Sequence, residues 1–241
     1  MQVDETKLLK KIEKWRLKRA EAVELGNGPA ALRGEVTMLF HAVPRNSLRR
    51  FPVTESWLMT EQEIRHLYVP HQATHRRYNA DGFLGTAQIG NDAGAFGYTQ
   101  LFRSGIVEYA DSNCFRSPTA GCDPMILGQE LEQHIVNCYQ DVVDRGRRLA
   151  QTDTVYIGIS LVGIAGKAFF STISGLEFQR SGGTDRNIFI SPEVLADIKE
   201  PEDVPYTTTL LPLVDTMWQV GGLAQTPFRR KSDWRPFEER R

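Results

Sequence analysis

One short segment constrains this chain more than any other: Glu35-Val-Thr-Met-Leu-Phe-His-Ala-Val43, closed by Pro44. It is rich in strand formers and almost continuously apolar, so it has no face to give to water. It therefore reads as a central strand covered on both sides. Thr154 to Val162 is the strongest strand of the chain by the same test. Covering layers are provided by amphipathic helices. Over residues 4–25, Leu8, Ile12, Trp15, Arg19 and Val23 recur at three- and four-residue steps, with Lys7, Lys10, Lys11, Lys14 and Lys18 largely elsewhere. Leu25-Gly26-Asn27-Gly28-Pro29 ends that helix, because Gly or Asn takes a left-handed cap and Pro blocks continuation.

Asp123-Pro124 predicts a second helix start, with Asp capping free amides and Pro in the first helical position. It should run to about Leu149 and bury Leu127, Leu131, Ile135, Cys138 and Val142. A third helix is expected from about Thr208 to Val220, ending at Gly221-Gly222. Thr60 to Tyr68 suggests a short helix and Pro70 to His75 an irregular stretch. Asn79-Ala-Asp-Gly82 and Asn91-Asp-Ala-Gly94 are turn signals on either side of a short strand at Phe83 to Ala87. Tyr98 to Phe102 and Ile106 to Tyr109 flank Arg103-Ser-Gly105 as a β-hairpin, Gly105 allowing a positive φ. Gly163-Ile-Ala-Gly166 reads as a turn into a partner strand at Lys167 to Ser171. Asn187 to Ile190 reads as a strand, Pro192 to Ile198 as a short helix, and 224–241 as a frayed tail. The pattern is that of one α+β domain across residues 1–241, with a mixed, mainly antiparallel sheet and helices packed on it.

The chain of 241 residues is long enough to bury a core without disulfide or metal support. A net charge of −1 argues against a polyanion-binding surface spread over the whole molecule. Cys114, Cys122 and Cys138 form an odd set without regular spacing, as expected of reduced thiols in a cytoplasmic protein. No apolar run nears the roughly 18 residues of a membrane helix, and the N-terminus lacks a secretory signal's apolar core, so no membrane partner is expected.

Chemistry-bearing motifs are incomplete. Gly163-Ile-Ala-Gly166-Lys167 has two residues between its glycines where a phosphate loop needs four, and Ala168 where that loop needs Ser or Thr. Ser160 lacks the second glycine of a nucleophile elbow and reads as a buried strand serine. His66, His71 and His75 almost match zinc-ligand spacing, but Pro70 interrupts them and no cysteine pair accompanies them. No metal and no cofactor is therefore expected. His41 reads as a buried structural histidine, and His134 sits in mid-helix. Basic groups offer a candidate nucleic-acid footprint at Lys14, Lys18, Arg45, Arg49, Arg50, Arg76 and Arg77, with Tyr68, Tyr78 and Trp234 nearby for stacking.

Two stretches carry a family resemblance. One is Ile12-Glu-Lys-Trp-Arg16-Leu-Lys-Arg19, Gly26 to Pro29, Leu32-Arg-Gly34 and Leu39-Phe-His41-Ala-Val-Pro44. The other is Arg77-Tyr-Asn-Ala-Asp81-Gly-Phe83 with Tyr98-Thr-Gln-Leu-Phe102-Arg103-Ser-Gly105-Ile-Val-Glu108. Together, over about residues 10–110, they resemble the C-terminal region of bacterial proteins whose N-terminal domain is Alba-like and Schlafen-type, DNA-binding and often described as ATP-binding. The Y-x-Q-L-F-R-x-G-x-x-E string is the most specific part. The resemblance implies a nucleic-acid-associated system and carries over no active-site residue. Beside it, the aromatic and charged hairpin of Tyr98, Phe102, Arg103 and Glu108 suits docking onto a protein partner or a second copy. A non-catalytic docking domain is thus the leading expectation. Direct nucleic-acid binding is the second. A hydrolase using His41, His71 or His75 with a carboxylate such as Asp81 is the third.

Overall fold

The computed structural model describes residues 5–45, 47–48, 67–72, 75–88, 94–113, 115–116, 125–149, 154–173, 177–180, 183–198, 206–230 and 233–234. In chain order the elements are α1 (Glu5–Glu24), β1 (Thr37–Pro44), β2 (His75–Asn79), β3 (Gly82–Ala87), β4 (Gly97–Phe102), β5 (Val107–Asp111), β6 (Phe115–Arg116) and β7 (Met125–Leu127). There follow α2 (Gly128–Leu149), β8 (Thr154–Val162), β9 (Ala168–Ile173), β10 (Glu177–Arg180), β11 (Ile188–Ile190), β12 (Val194–Asp197), α3 (Tyr206–Val220), β13 (Arg229–Arg230) and β14 (Asp233–Trp234). The fold class is α+β, as the sequence pattern predicts.

The main sheet has the order β11-β8-β1-β5-β4-β3-β2, with β12 also paired to β8, and every pairing in it is antiparallel. All of β1 is buried, as expected of a central strand. Its two faces serve two layers, because successive side chains point to opposite sides. Leu39 and Val43 pack toward α1, whereas Met38, Phe40 and Ala42 join the larger core with Leu131, Ile135 and Cys138 of α2 and Leu213 and Trp218 of α3. α1 stops where the glycine signal placed it, Gly26 adopting φ 73°. In the β4–β5 hairpin Gly105 has φ 85°, a conformation that a β-carbon would strain.

Several expectations are corrected. Met125 to Leu127, including Leu127, form β7 rather than the first turn of a helix, and α2 begins at Gly128. Three apolar residues take the strand state because β9 pairs with them on one side and β6 on the other. The turn at Gly163 to Gly166 does not make a β8–β9 hairpin. Both edges of β8 are already taken, by β1 and by β11 with β12, so the chain crosses into a second sheet of order β10-β9-β7-β6. The segment read as a short helix at Pro192 to Ile198 contains strand β12. It pairs with the half of β8 that the three-residue β11 leaves open, and unmet backbone groups there outweigh local propensity. The described part of the tail is not frayed: β13 pairs with β14, and Trp234 is buried. The expected helix over Thr60 to Tyr68 and the turn at Asn91 to Gly94 lie largely outside the described residues, as do Cys114 and Cys122. Among the described residues no helix is long and apolar enough to cross a membrane.

Candidate functional site

The hairpin residues read from the sequence as a docking surface split between interior and exterior. Tyr98 and Glu108 are fully buried beneath α1, Phe102 is half-buried, and Arg103 is exposed. Arg103 reaches back along its own sheet, its Nε donating to the Ala80 carbonyl at 3.2 Å. Opposed strand positions bring the others together. Glu108 faces His41 across β1–β5 and Gln100 across β4–β5, which aims its carboxylate at the α1 side. There Arg19 Nε and Nη2 donate to Glu108 Oε2 and Oε1 at 2.9 and 2.8 Å, and the Tyr98 hydroxyl donates to Oε1 at 2.8 Å. His41 Nε2 lies 2.9 Å from Oε2. Burial alone would raise the Glu108 carboxyl, but the Arg19 and His41 hydrogen bonds outweigh it and bring the pKa down to about 2. Burial lowers His41 against the pull of Glu108, so a neutral ring donates from Nε2. Trp15 stands edge-on to both His41 and Phe102 and seals the site. His41 is fully buried, the placement its strand alternation allowed.

Arg16, missed by a periodicity that placed Arg19 in the seam, is the charged residue that α1 buries completely, beside Leu8, Ile12 and Ala20. Its guanidinium fills the gap between β11 and β12, donating to the Ile159 carbonyl at 2.5 Å, the Ser191 carbonyl at 2.8 Å and Glu193 Oε1 at 2.7 Å. Gly158 makes room: a β-carbon there would stand 2.3 Å from the Arg16 guanidinium. Ser160 is the expected buried strand serine.

The basic groups are dispersed. Lys14 and Lys18 are exposed on α1. Arg45 pairs with Glu5 at 3.4 Å at the start of that helix. Arg49 and Arg50 lie outside the described residues. Arg76 and Arg77 sit on β2, the last strand of the main sheet among the described residues, where His75, Arg76, Arg77 and Tyr78 are exposed. Arg77 pairs across with Leu84, which packs with Ala20 of α1, so Arg77 shares the α1 side of the sheet. Because α1 covers only part of that side, a cleft of about 700 Å³ remains, lined by Gly28 to Ala31, His75, Arg76, Arg77, Leu84, Thr86 and Gln88. Of the aromatic residues named for stacking, Tyr78 is exposed, Tyr68 is half-buried and Trp234 is interior.

Trp234 instead helps to hold a buried acid. Glu132 Oε2 accepts from Trp234 Nε1 at 2.6 Å, while Oε1 accepts from Trp218 Nε1 at 2.6 Å and the Thr226 hydroxyl at 2.5 Å. Burial pushes the Glu132 carboxyl up to about 7 despite these donors. A carboxyl raised above its unfolded value of 4.5 stabilises the fold fully below 4.5 and loses that contribution as pH rises through about 7. Urea midpoints taken across that window should therefore show the wild type losing about 3 kcal/mol relative to Glu132→Gln. Parallel pH profiles of the two proteins would contradict this.

The histidines expected to cluster by sequence do so differently. His66 lies outside the described residues, and His75 is exposed on β2. Asp81 is exposed in the β2–β3 turn, its amide bonded to Asn79 Oδ1. His71 meets Asp111, not Asp81, with His134 of α2 on the other side of the same carboxylate. These three residues are the group among the described residues whose donor atoms all fall within 4.8 Å of one another. Burial alone would raise Asp111, but His71 and His134 outweigh it and hold its carboxyl below the ordinary value. Long sequence separation hid this group, and no spacing rule joins its members.

Comparison with family models, curated proteins and solved structures finds no match to this chain.

Proposed function

We propose that the chain is a non-catalytic interaction domain of a nucleic-acid-associated bacterial system, and that it docks a protein partner along the β2 edge. The observation carrying this reading is the basic edge strand beside the 700 Å³ cleft. An edge strand offers unpaired backbone groups to an added strand, and alternate side chains of that strand then choose the partner. His75, Arg76 and Arg77 favour an acidic extended segment. The resemblance to the C-terminal region of Alba-like, Schlafen-type proteins supports the cellular context. Among the described residues the exposed large apolar side chains, Leu17, Leu25, Tyr78 and Leu195, are scattered over α1, its end, β2 and β12, which favours strand addition over an apolar patch there.

Direct nucleic-acid contact is the second reading, favoured by Arg77 lying on the same side of the sheet as α1, which carries Lys14 and Lys18. One titration separates the two. Fluorescence anisotropy is followed with a labelled peptide alternating Glu and Val, with duplex DNA and with single-stranded RNA, at about 50 and 200 mM salt. Docking predicts peptide binding that Arg76→Glu with Arg77→Glu weakens about tenfold or more. Nucleic-acid binding that falls steeply with salt would promote the second reading. Failure of all three probes at low salt would sink both.

A further inference from the structure

The His71, Asp111 and His134 group lies apart from the docking reading and is unused by it. Asp111 ends β5, so its backbone is fixed by β1 on one side and β4 on the other. His134 projects from α2, which packs against β1. His71 is delivered by a turn in which both His71 and Gln72 adopt left-handed conformations, φ 64° and 67°. Two successive non-glycine residues in that region cost strain, which the surrounding packing must hold.

The Asp111 carboxylate is fully buried, and its oxygens differ. Oδ1 accepts from the Asn113 amide at 2.7 Å and lies 2.9 Å from His71 Nε2. Oδ2 is 3.0 Å from His134 Nε2 but has no hydrogen bond of acceptable geometry, so this buried oxygen is aimed into the group without a proper donor. Leaving a buried charged acceptor unmet is unfavourable, and a cation between the three side chains satisfies it. The two imidazole side chains are 24% and 16% exposed and Asp111 is fully buried, so the group lies at the margin of the core.

We propose that His71, Asp111 and His134 bind one divalent transition-metal ion of the zinc class, with a fourth position left for water or an anionic oxygen ligand. Two nitrogens and one carboxylate oxygen suit such an ion better than magnesium or calcium, which prefer oxygen alone. Three protein ligands with an open position are the arrangement of reactive rather than purely structural zinc. Ligand atoms on a tetrahedral zinc stand about 3.3 Å apart, so each histidine–carboxylate separation, 2.9 and 3.0 Å, need open by a few tenths of an ångström, and all three ligand atoms already lie within 4.8 Å of one another.

The test uses the full chain freed of metal by chelation and then titrated with Zn²⁺ by calorimetry and with Co²⁺ by visible absorption. The expected result is uptake of one ion per chain, with cobalt bands of low-symmetry nitrogen–oxygen ligation. His71→Ala, on a half-exposed turn, should weaken affinity by more than the roughly 10–100-fold cost of losing an outer-shell partner. Asp111→Asn keeps the shape of the side chain and should have a similar effect, with circular dichroism reporting the fold of each variant. Absence of stoichiometric uptake by the wild type, or uptake unchanged in folded His71→Ala or Asp111→Asn protein, would overturn the proposal.

Discussion

Glu108→Ala should cost about 3–5 kcal/mol of folding stability, because it leaves Arg19 beneath α1 without its counter-charge and the buried His41 and Tyr98 donors without their acceptor. Against a typical domain stability of about 5–15 kcal/mol, that is enough to unfold a large share of molecules near physiological temperature. Urea midpoints measure it directly. Glu108→Gln keeps the volume and part of the acceptor capacity, so its cost should be smaller. The pH dependence carries the same signature. A carboxyl lowered from 4.5 to about 2 contributes stability that is present above 4.5 and lost as pH falls through about 2. Acid unfolding should thus be shallower in Glu108→Gln than in the wild type over that window. If Glu108→Ala proves as stable as the wild type, the buried network does not hold α1 to the sheet.

Trp234→Ala is the second large effect, about 3–5 kcal/mol, combining loss of a buried indole with an unmet oxygen on Glu132. Trp234→Phe separates the two parts. It retains most of the apolar volume beside Tyr206 but removes the indole N–H, and should cost about 1–3 kcal/mol. A free tail would make both substitutions silent, and equal midpoints for all three proteins would establish that.

Where long, regular patterns govern the outcome, the chain was readable. The run of strand formers before Pro44 and that ending at Val162 became β1 and β8, and the apolar seam of residues 4–25 became α1. Gly105 took the positive φ that its hairpin required. Short segments failed because their state belongs to their partners. Met125 to Leu127 and Val194 to Asp197 are strands since β9 and β8 offer unpaired edges, and nothing within three or four residues announces it. Arg16 was hidden by its charge, which composition alone assigns to the surface although buried carbonyls await it. The docking surface was misjudged for the related reason that Tyr98 and Glu108 satisfy each other inside the fold. Of the metal-ligand candidates, His71 was visible in its cluster, but its partners stand 40 and 63 positions along the chain.

The register between β1 and β8 also bears on synthesis. Roughly 110 residues separate Pro44 from Thr154, and a ribosome adding about 5–20 residues per second takes roughly 6–22 s to make them. Within that interval β5 is made only at residues 107–111, so β1 first has neither of its partners and afterwards keeps one edge open. α1 waits as well, since the carbonyls at Ile159 and Ser191 that receive Arg16 emerge later still. The newborn chain is therefore sticky along its most apolar strand until β8 arrives, and chains released before residue 154 should aggregate or require a chaperone to stay dispersed.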